Sequence, residues 1–315
     1  YNVVGKMALA GRNKQEAWDQ WYTGRFNIKP FKGLSIKGDY SWNRYSASRK
    51  VHRKEMTQTF PEGAATWTVE SPNYVQNKNS NDIYQALNVW AEYQKSFKNA
   101  HNMVLMAGYN QEQKTLASTS YKMSNLYDNE LPISDLAINY LENSETKDIW
   151  KVQGAFFRLN YDYQSKYLME VNGRYDGSSK YAKDHRWAFF PSASVGWRIS
   201  EEKFFKPLTK YVDNLKIRAS FGALGNQVTE GYHDYMSYLS GKVLSNYMMN
   251  GAIVNGLDIP TLPSLVTWEK VITKDVGLDW SLFNNRLFGS FDFYVRDTKN
   301  MVRSVVLPAV LGTSG

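Results

Sequence analysis

Ten short segments of alternating apolar and polar residues succeed one another along this chain, and the connections between them fall into two length classes. Trp21–Lys29 is joined to Leu34–Trp42 through Pro30-Phe31-Lys32-Gly33, and Leu87–Tyr93 to Met103–Tyr109 through 95–100. Phe157–Tyr163 meets Tyr167–Tyr175 across Gln164-Ser165-Lys166, and Val276–Trp280 meets Leu287–Val295 across 282–286. Between Ala193–Ile199 and Leu215–Phe221 the connection is longer, and Ser200-Glu201-Glu202-Lys203 reads there as an N-cap Ser with acids behind it, opening one helical turn. The connections of the other class, 46–81, 111–147 and 226–268, are polar stretches of about 35 to 40 residues, far above the usual few. Only 177–186 is short among them.

A period of two puts one continuous apolar and aromatic face on each hairpin and a polar face behind it. In Phe157–Ala182 the apolar side holds Leu159, Tyr161, Tyr163, Tyr167, Met169, Val171 and Tyr175, and the other side Arg158, Asn160, Asp162, Glu170, Asn172, Arg174 and Asp176. A soluble sandwich also alternates, but its connections are evenly spaced. Strands of about ten residues with tight turns at one end and long loops at the other are the pattern of a transmembrane β-barrel. The 22 Tyr, 15 Phe and 10 Trp suit an interface with one wet and one apolar side. A mean hydropathy of −0.53 is compatible, because wet faces and outer loops dilute the lipid-facing half of each strand. No apolar run is long enough for a spanning helix, and the absence of Cys fits an oxidising compartment.

The fold expected is therefore all-β: an antiparallel transmembrane barrel segment with short periplasmic turns and long extracellular loops. With tight turns in the periplasm, the first strand runs inward and the last outward, so both ends of the chain fall outside the cell. Complete bacterial barrels keep both in the periplasm, and the expectation is that residues 1–315 are an interior part of a larger barrel domain.

Several runs resemble the SusC/RagA-type TonB-dependent outer-membrane transporters: FRLNYDYQSKYLMEVNGRYDGSSKYA (157–182), RWAFFPSASVGWRISEEKFF (186–205), LKIRASFGALGNQ (215–227) and GLDWSLFNNRLFGSFDFYVRDTKNMV (277–302). The likeness is close from about Trp150 onward and looser through KPFKGLSIKGDYSW (29–42) and HNMVLMAGYN (101–110). It implies about ten strands of a barrel of about 22 whose lumen is filled by an N-terminal plug. The plug, the TonB-contacting segment and the closing strands are expected to lie outside these residues. The resemblance further implies the Gram-negative outer membrane, a SusD-like surface lipoprotein and the TonB complex as partners, and import of an oligosaccharide or peptide.

Charges on strands sort by solvent. An Arg or Lys facing lipid at mid-depth costs roughly 2–4 kcal/mol, which turns Arg158, Glu170, Arg174, Asp176, Arg218, Asp292 and Arg296 toward the lumen. There they hydrate the wall or touch the plug, and direct substrate contact is the lesser reading. Loop aromatics Trp67, Tyr74, Tyr235 and Tyr238 are candidates to stack on an entering substrate. A net charge of +8 is spread along turns and one strand face without a nucleic-acid-binding motif, so no nucleic-acid partner is expected. His52, His101, His185 and His233 are scattered, with no metal-ligand spacing, serine elbow or phosphate loop, and neither catalysis nor a cofactor is expected. A passive porin or adhesin barrel, and a ten-stranded outer-membrane enzyme, are the alternatives.

Overall fold

A computed structural model describes residues 4, 7, 9–58, 67–69, 71–98, 100–227, 231–232, 243–249, 252–257 and 266–301. Its strands are β1 (Gly11–Phe31), β2 (Leu34–Arg53), β3 (Met56–Gln58), β4 (Trp67–Val69), β5 (Tyr74–Phe97), β6 (His101–Leu126) and β7 (Ala137–Tyr163). They continue as β8 (Tyr167–Ser178), β9 (Trp187–Arg198), β10 (Val212–Asn226), β11 (Val243–Met249), β12 (Ala252–Leu257), β13 (Glu269–Leu282) and β14 (Leu287–Lys299). Ten of them form one sheet in the order β1-β2-β5-β6-β7-β8-β9-β10-β13-β14, while β3-β4 and β11-β12 are separate two-stranded ribbons. The ten are the ten segments of the alternating pattern, each beside its sequence neighbour. No helix among the described residues is long and apolar enough to cross a membrane, which says nothing of strands.

The tight turns form where the residues tolerate them. Gly33 has φ +93°, and Gln164 and Ser165 share the left-handed region at φ 50° and 55°. Ser165 offsets the cost with a backbone N–H to the Asp162 carboxylate at 3.0 Å. Backbone bonds tie each turn to the next: Gln94 donates to Gly33, Gln164 to Ala100, Arg198 to Lys166 and Phe283 to Tyr211. Each of these contacts pairs a backbone N–H with a carbonyl of the neighbouring turn.

Three expectations need correction. The strands are not uniformly about ten residues long: β1, β2, β5, β6 and β7 run to 21, 20, 24, 26 and 27 residues. Much of 46–81 and 111–147 is thus not loop but strand, because paired backbones continue where both faces are wet and no apolar side is required. Ser200 does not cap a helix; it is buried inside a 3-10 turn (Ile199–Glu201), with a second 3-10 turn after it over Lys203–Leu208, and Arg198 stands at the N-cap without a side-chain capping bond.

The chain divides into two compact units. One comprises Tyr1–Gly24, Tyr40–Ala86 and Gln113–Ile149, with Val75, Met123 and Leu126 packed together beside Ala137. The other comprises Arg25–Asp39, Leu87–Glu112 and Trp150–Gly315, and contains all the tight turns. Its buried cluster is Tyr181, Ala188, Phe190 and Trp268, with Val266 against it.

Candidate functional site

Register across β7, β8, β9, β10, β13 and β14 sorts side chains into rows. One row reads Tyr163, Tyr167, Trp197, Ile217, Leu278, Phe291, and the next on the same face Tyr161, Met169, Val195, Ala219, Val276, Phe293. These are apolar or aromatic, and Met169, Val195, Val276 and Phe293 are exposed at 39, 56, 55 and 66%. On the opposite face the rows read Asp162, Leu168, Gly196, Arg218, Gly277, Asp292 and Asn160, Glu170, Ser194, Ser220, Asp275, Tyr294. One face is greasy across six strands and the other carries the charges and amides.

Aromatic rings bound the apolar face. Phe97, His101, Tyr163, Tyr167 and Trp197 make a chain of neighbouring rings across β5 to β9, with centroid spacings of 4.8, 4.8, 6.3 and 6.4 Å. The Tyr161 hydroxyl lies 2.8 Å from His101 Nδ1. Farther along the same face Tyr175 stacks on Trp187 at 5.0 Å. Tyr167 and Tyr175 are eight residues apart on β8, about 27 Å along a strand. At a tilt of ~35–45° that is roughly 20 Å of height, close to the ~25 Å apolar band between aromatic girdles of a membrane barrel.

The polar face is organised around Arg218. Its guanidinium meets Asp275 at 3.2 Å, Asp279 at 3.3 Å and Asp292 at 2.5 Å, and Lys216 reaches Asp279 at 3.7 Å. Asp292 is two strands away, and Gly277 on the intervening β13 makes the reach possible. A Cβ at Gly277 would stand 2.6 Å from both Arg218 Cζ and Asp292 Oδ1. Two cations and three carboxylates leave this cluster one negative charge in excess, and a groove lined by Arg218, Lys216, Asp275, Glu170, Asp162 and Asn102 runs over it. Partly exposed pairs of this kind add little stability each, so their main effect is to fix the position of charge on the wall.

The other strand charges lie on this face in smaller groups. Arg158 donates to Asn172 at 2.8 Å, and Asn172 to Glu170 at 2.7 Å, so one amide links the two charges. Arg174 pairs with Asp176 at 2.9 Å and donates to Asn110 at 3.3 Å. Arg296 rests over the Tyr294 ring at 5.8 Å. Of the seven, only Arg218 with Asp292 and Arg174 with Asp176 are in contact. Tyr74 is not on a loop: it opens β5, and Lys122 sits over its ring at 4.0 Å with Arg53 at 6.0 Å. Trp67 belongs to the β3-β4 ribbon, with its side chain outside the described residues, as are Tyr235 and Tyr238 entirely.

Sequence reasoning passed over Lys216, Asp275 and Asp279, although Lys216-x-Arg218 and Asp275-x-Gly277-x-Asp279 have the right parity and would pair once β10 met β13. It also missed the packing of 178–186. There Tyr181 is fully buried against Trp268 at 5.2 Å, and Trp268 donates its indole N–H to the Arg186 carbonyl at 2.8 Å. Burial foremost, and the nearby Glu269 carboxylate, push the Tyr181 phenol up to about 12, and its hydroxyl has no partner among the described residues. Of the histidines, His52 is buried near the end of β2, His185 lies in a 3-10 turn, and His233 is outside the described residues.

Comparison with known proteins agrees with this architecture. The family described as TonB dependent receptor-like, beta-barrel, matches residues 5–315. TonB-dependent receptor P26 of Formosa agariphila is 31% identical over 99% of this chain and 31% of its own length. TonB-dependent receptor SusC of Bacteroides thetaiotaomicron is 36% identical over 49% of this chain and 15% of its own. The RagAB peptide transporter superposes with a TM-score of 0.80 at 21% identity, over 98% of this chain and 33% of the solved one, a likeness of fold. The chain thus spans about a third or less of the curated relatives it matches.

Proposed function

The chain belongs to the TonB-dependent receptor-like β-barrel family, whose barrels lie in the outer membrane of Gram-negative bacteria, and from that premise we propose that it is wall of an active importer. The cargo is an oligosaccharide or peptide too large for passive pores, energy comes from the TonB complex, and a SusD-like surface lipoprotein delivers the cargo. Residues 1–315 form part of the barrel domain in this reading, and about ten of some 22 strands. The observation that carries it is the two-faced sheet: apolar rows bounded by the Tyr167–Trp197 and Tyr175–Trp187 pairs, with the Arg218 network on the reverse. Such a wall meets hydrocarbon on one side and water on the other.

In this arrangement Arg158, Glu170, Arg174, Asp176, Arg218, Asp292 and Arg296 face the lumen, Trp67 and Tyr74 lie toward the extracellular entrance, and Tyr235 and Tyr238 are candidates to stack on the cargo. The RagAB fold neighbour is a peptide transporter, which is the support for the peptide alternative. Deleting the parent gene should abolish accumulation of one radiolabelled oligosaccharide or peptide class, and deletion of TonB should abolish it equally. Uptake that survives loss of TonB would make the protein a passive pore.

A further inference from the structure

The turn between β9 and β10 is built unlike the others. Its two acids are already engaged: Glu201 pairs with Arg198 at 3.0 Å, and Glu202 takes the Lys166 ammonium at 3.4 Å, the Tyr167 hydroxyl at 2.6 Å and the Trp197 indole at 3.2 Å. The Tyr167 bond first, then that of Trp197, holds the Glu202 carboxyl below its usual range. Past these acids the chain runs Lys203-Phe204-Phe205-Lys206-Pro207-Leu208-Thr209-Lys210-Tyr211, in which Phe205 alone is buried and anchors the segment. Phe204, Leu208 and Tyr211 are exposed at 66, 52 and 54%. Lys203, Lys206 and Lys210 are exposed; the turn's two acids pair elsewhere, no ion pair involves these three among the described residues, and the Lys210 ammonium lies over the Tyr211 ring at 5.7 Å. Beside Glu202, the rings of Tyr167 and Trp197 border an almost wholly apolar groove with Met169, Val195 and Ile217 on its walls.

We propose that this turn and groove bind one anionic phospholipid, its phosphate against Lys203, Lys206 and Lys210 and an acyl chain in the groove beneath Trp197. The inference rests on the membrane reading, which puts the tight turns at the phospholipid leaflet. The chemistry selects a lipid: exposed apolar side chains interleaved with lysines that no carboxylate neutralises suit a surface that is greasy below and anionic above. A soluble phosphate would use the lysines and leave Phe204, Leu208 and the groove exposed. An acidic protein would not need an apolar groove lined by Met169, Val195 and Ile217 on the same face as the exposed apolar rows.

The test uses the full-length receptor in detergent, offered phosphatidylglycerol or phosphatidylethanolamine at equal concentration, with bound lipids counted by native mass spectrometry. Each lysine near an anionic surface contributes about a fivefold preference. The wild type should retain phosphatidylglycerol at least about tenfold over phosphatidylethanolamine, and the K203Q/K206Q/K210Q variant should lose that preference. Phe204→Ser with Leu208→Ser should weaken retention of both lipids, and Lys270→Gln with Lys299→Gln should change neither. Equal retention by wild type and the triple Gln variant, or displacement of the lipid by inorganic phosphate alone, would overturn the site. Loss of import in the triple Gln variant without any change in lipid would assign the turn to a protein partner. A Cys at Asn285, probed with an impermeant maleimide on cells before extraction, separates the two levels: labelling only once the outer membrane is opened, without lipid preference, removes only this site, while labelling on intact cells removes the topology beneath it.

Discussion

Arg218 on β10 and Asp292 on β14 form an ion pair at 2.5 Å across an intervening strand, directly above Gly277. The same guanidinium holds Asp275 and Asp279, so three carboxylates from two strands share one cation. Arg218→Met should therefore cost about 1–2 kcal/mol, because it leaves the carboxylates to repel one another. Gly277→Leu only pushes a flexible guanidinium off Asp292 and should cost less than about 1 kcal/mol. Urea denaturation of the full-length protein in detergent measures both. A larger loss for Gly277→Leu would mean that the glycine serves the backbone and not the bridge.

A second expectation concerns the two faces. Leu159→Arg or Met169→Arg in the full-length protein should block assembly, at a cost of roughly 2–4 kcal/mol per charge at mid-depth. Asn160→Arg or Asn172→Arg should assemble, with a small penalty for Asn172→Arg beside Arg158. Heat-modifiable mobility on a gel reports the folded fraction. Equal assembly of all four variants would contradict the assignment of faces.

A third prediction is drawn from the buried phenol of Tyr181. Because its folded pKa, about 12, lies above the unfolded value of about 10, folded protein holds the proton more tightly. Its contribution is complete below pH 10 and is lost as pH rises from 10 through 12. The difference in melting temperature between wild type and Tyr181→Phe should be constant below pH 10 and move against the wild type above it. At neutral pH Tyr181→Phe should be neutral or stabilising, since the hydroxyl it removes is buried without a partner among the described residues. A clear loss at neutral pH would show that the hydroxyl is bonded in solution.

The hairpins were legible in the sequence because each membrane-facing strand must show one apolar side, and Leu159-x-Tyr161-x-Tyr163 does so without interruption. The continuation of β5 through Asn77-Lys78-Asn79-Ser80-Asn81 was not, since a strand wet on both faces has no apolar period and its composition is that of a loop. Tyr74 was misplaced for the same reason. Arg218 and Asp292 could be sorted to one face by parity, but their meeting depended on the register of β10, β13 and β14 and on Gly277 lying between them. Tyr181 and Trp268, far apart in the sequence, carry no local signal that they pack together.

The central claim is a barrel wall with its tight turns in the periplasm, and sidedness tests it most directly. In a Cys-free full-length background, a Cys at Lys78 on β5 should react on intact cells with an impermeant maleimide. A Cys at Lys32 or Asn285, in the turns after β1 and β13, should react only once the outer membrane is opened. Labelling of Asn285→Cys or Lys32→Cys on intact cells, with Lys78→Cys protected, would contradict the account.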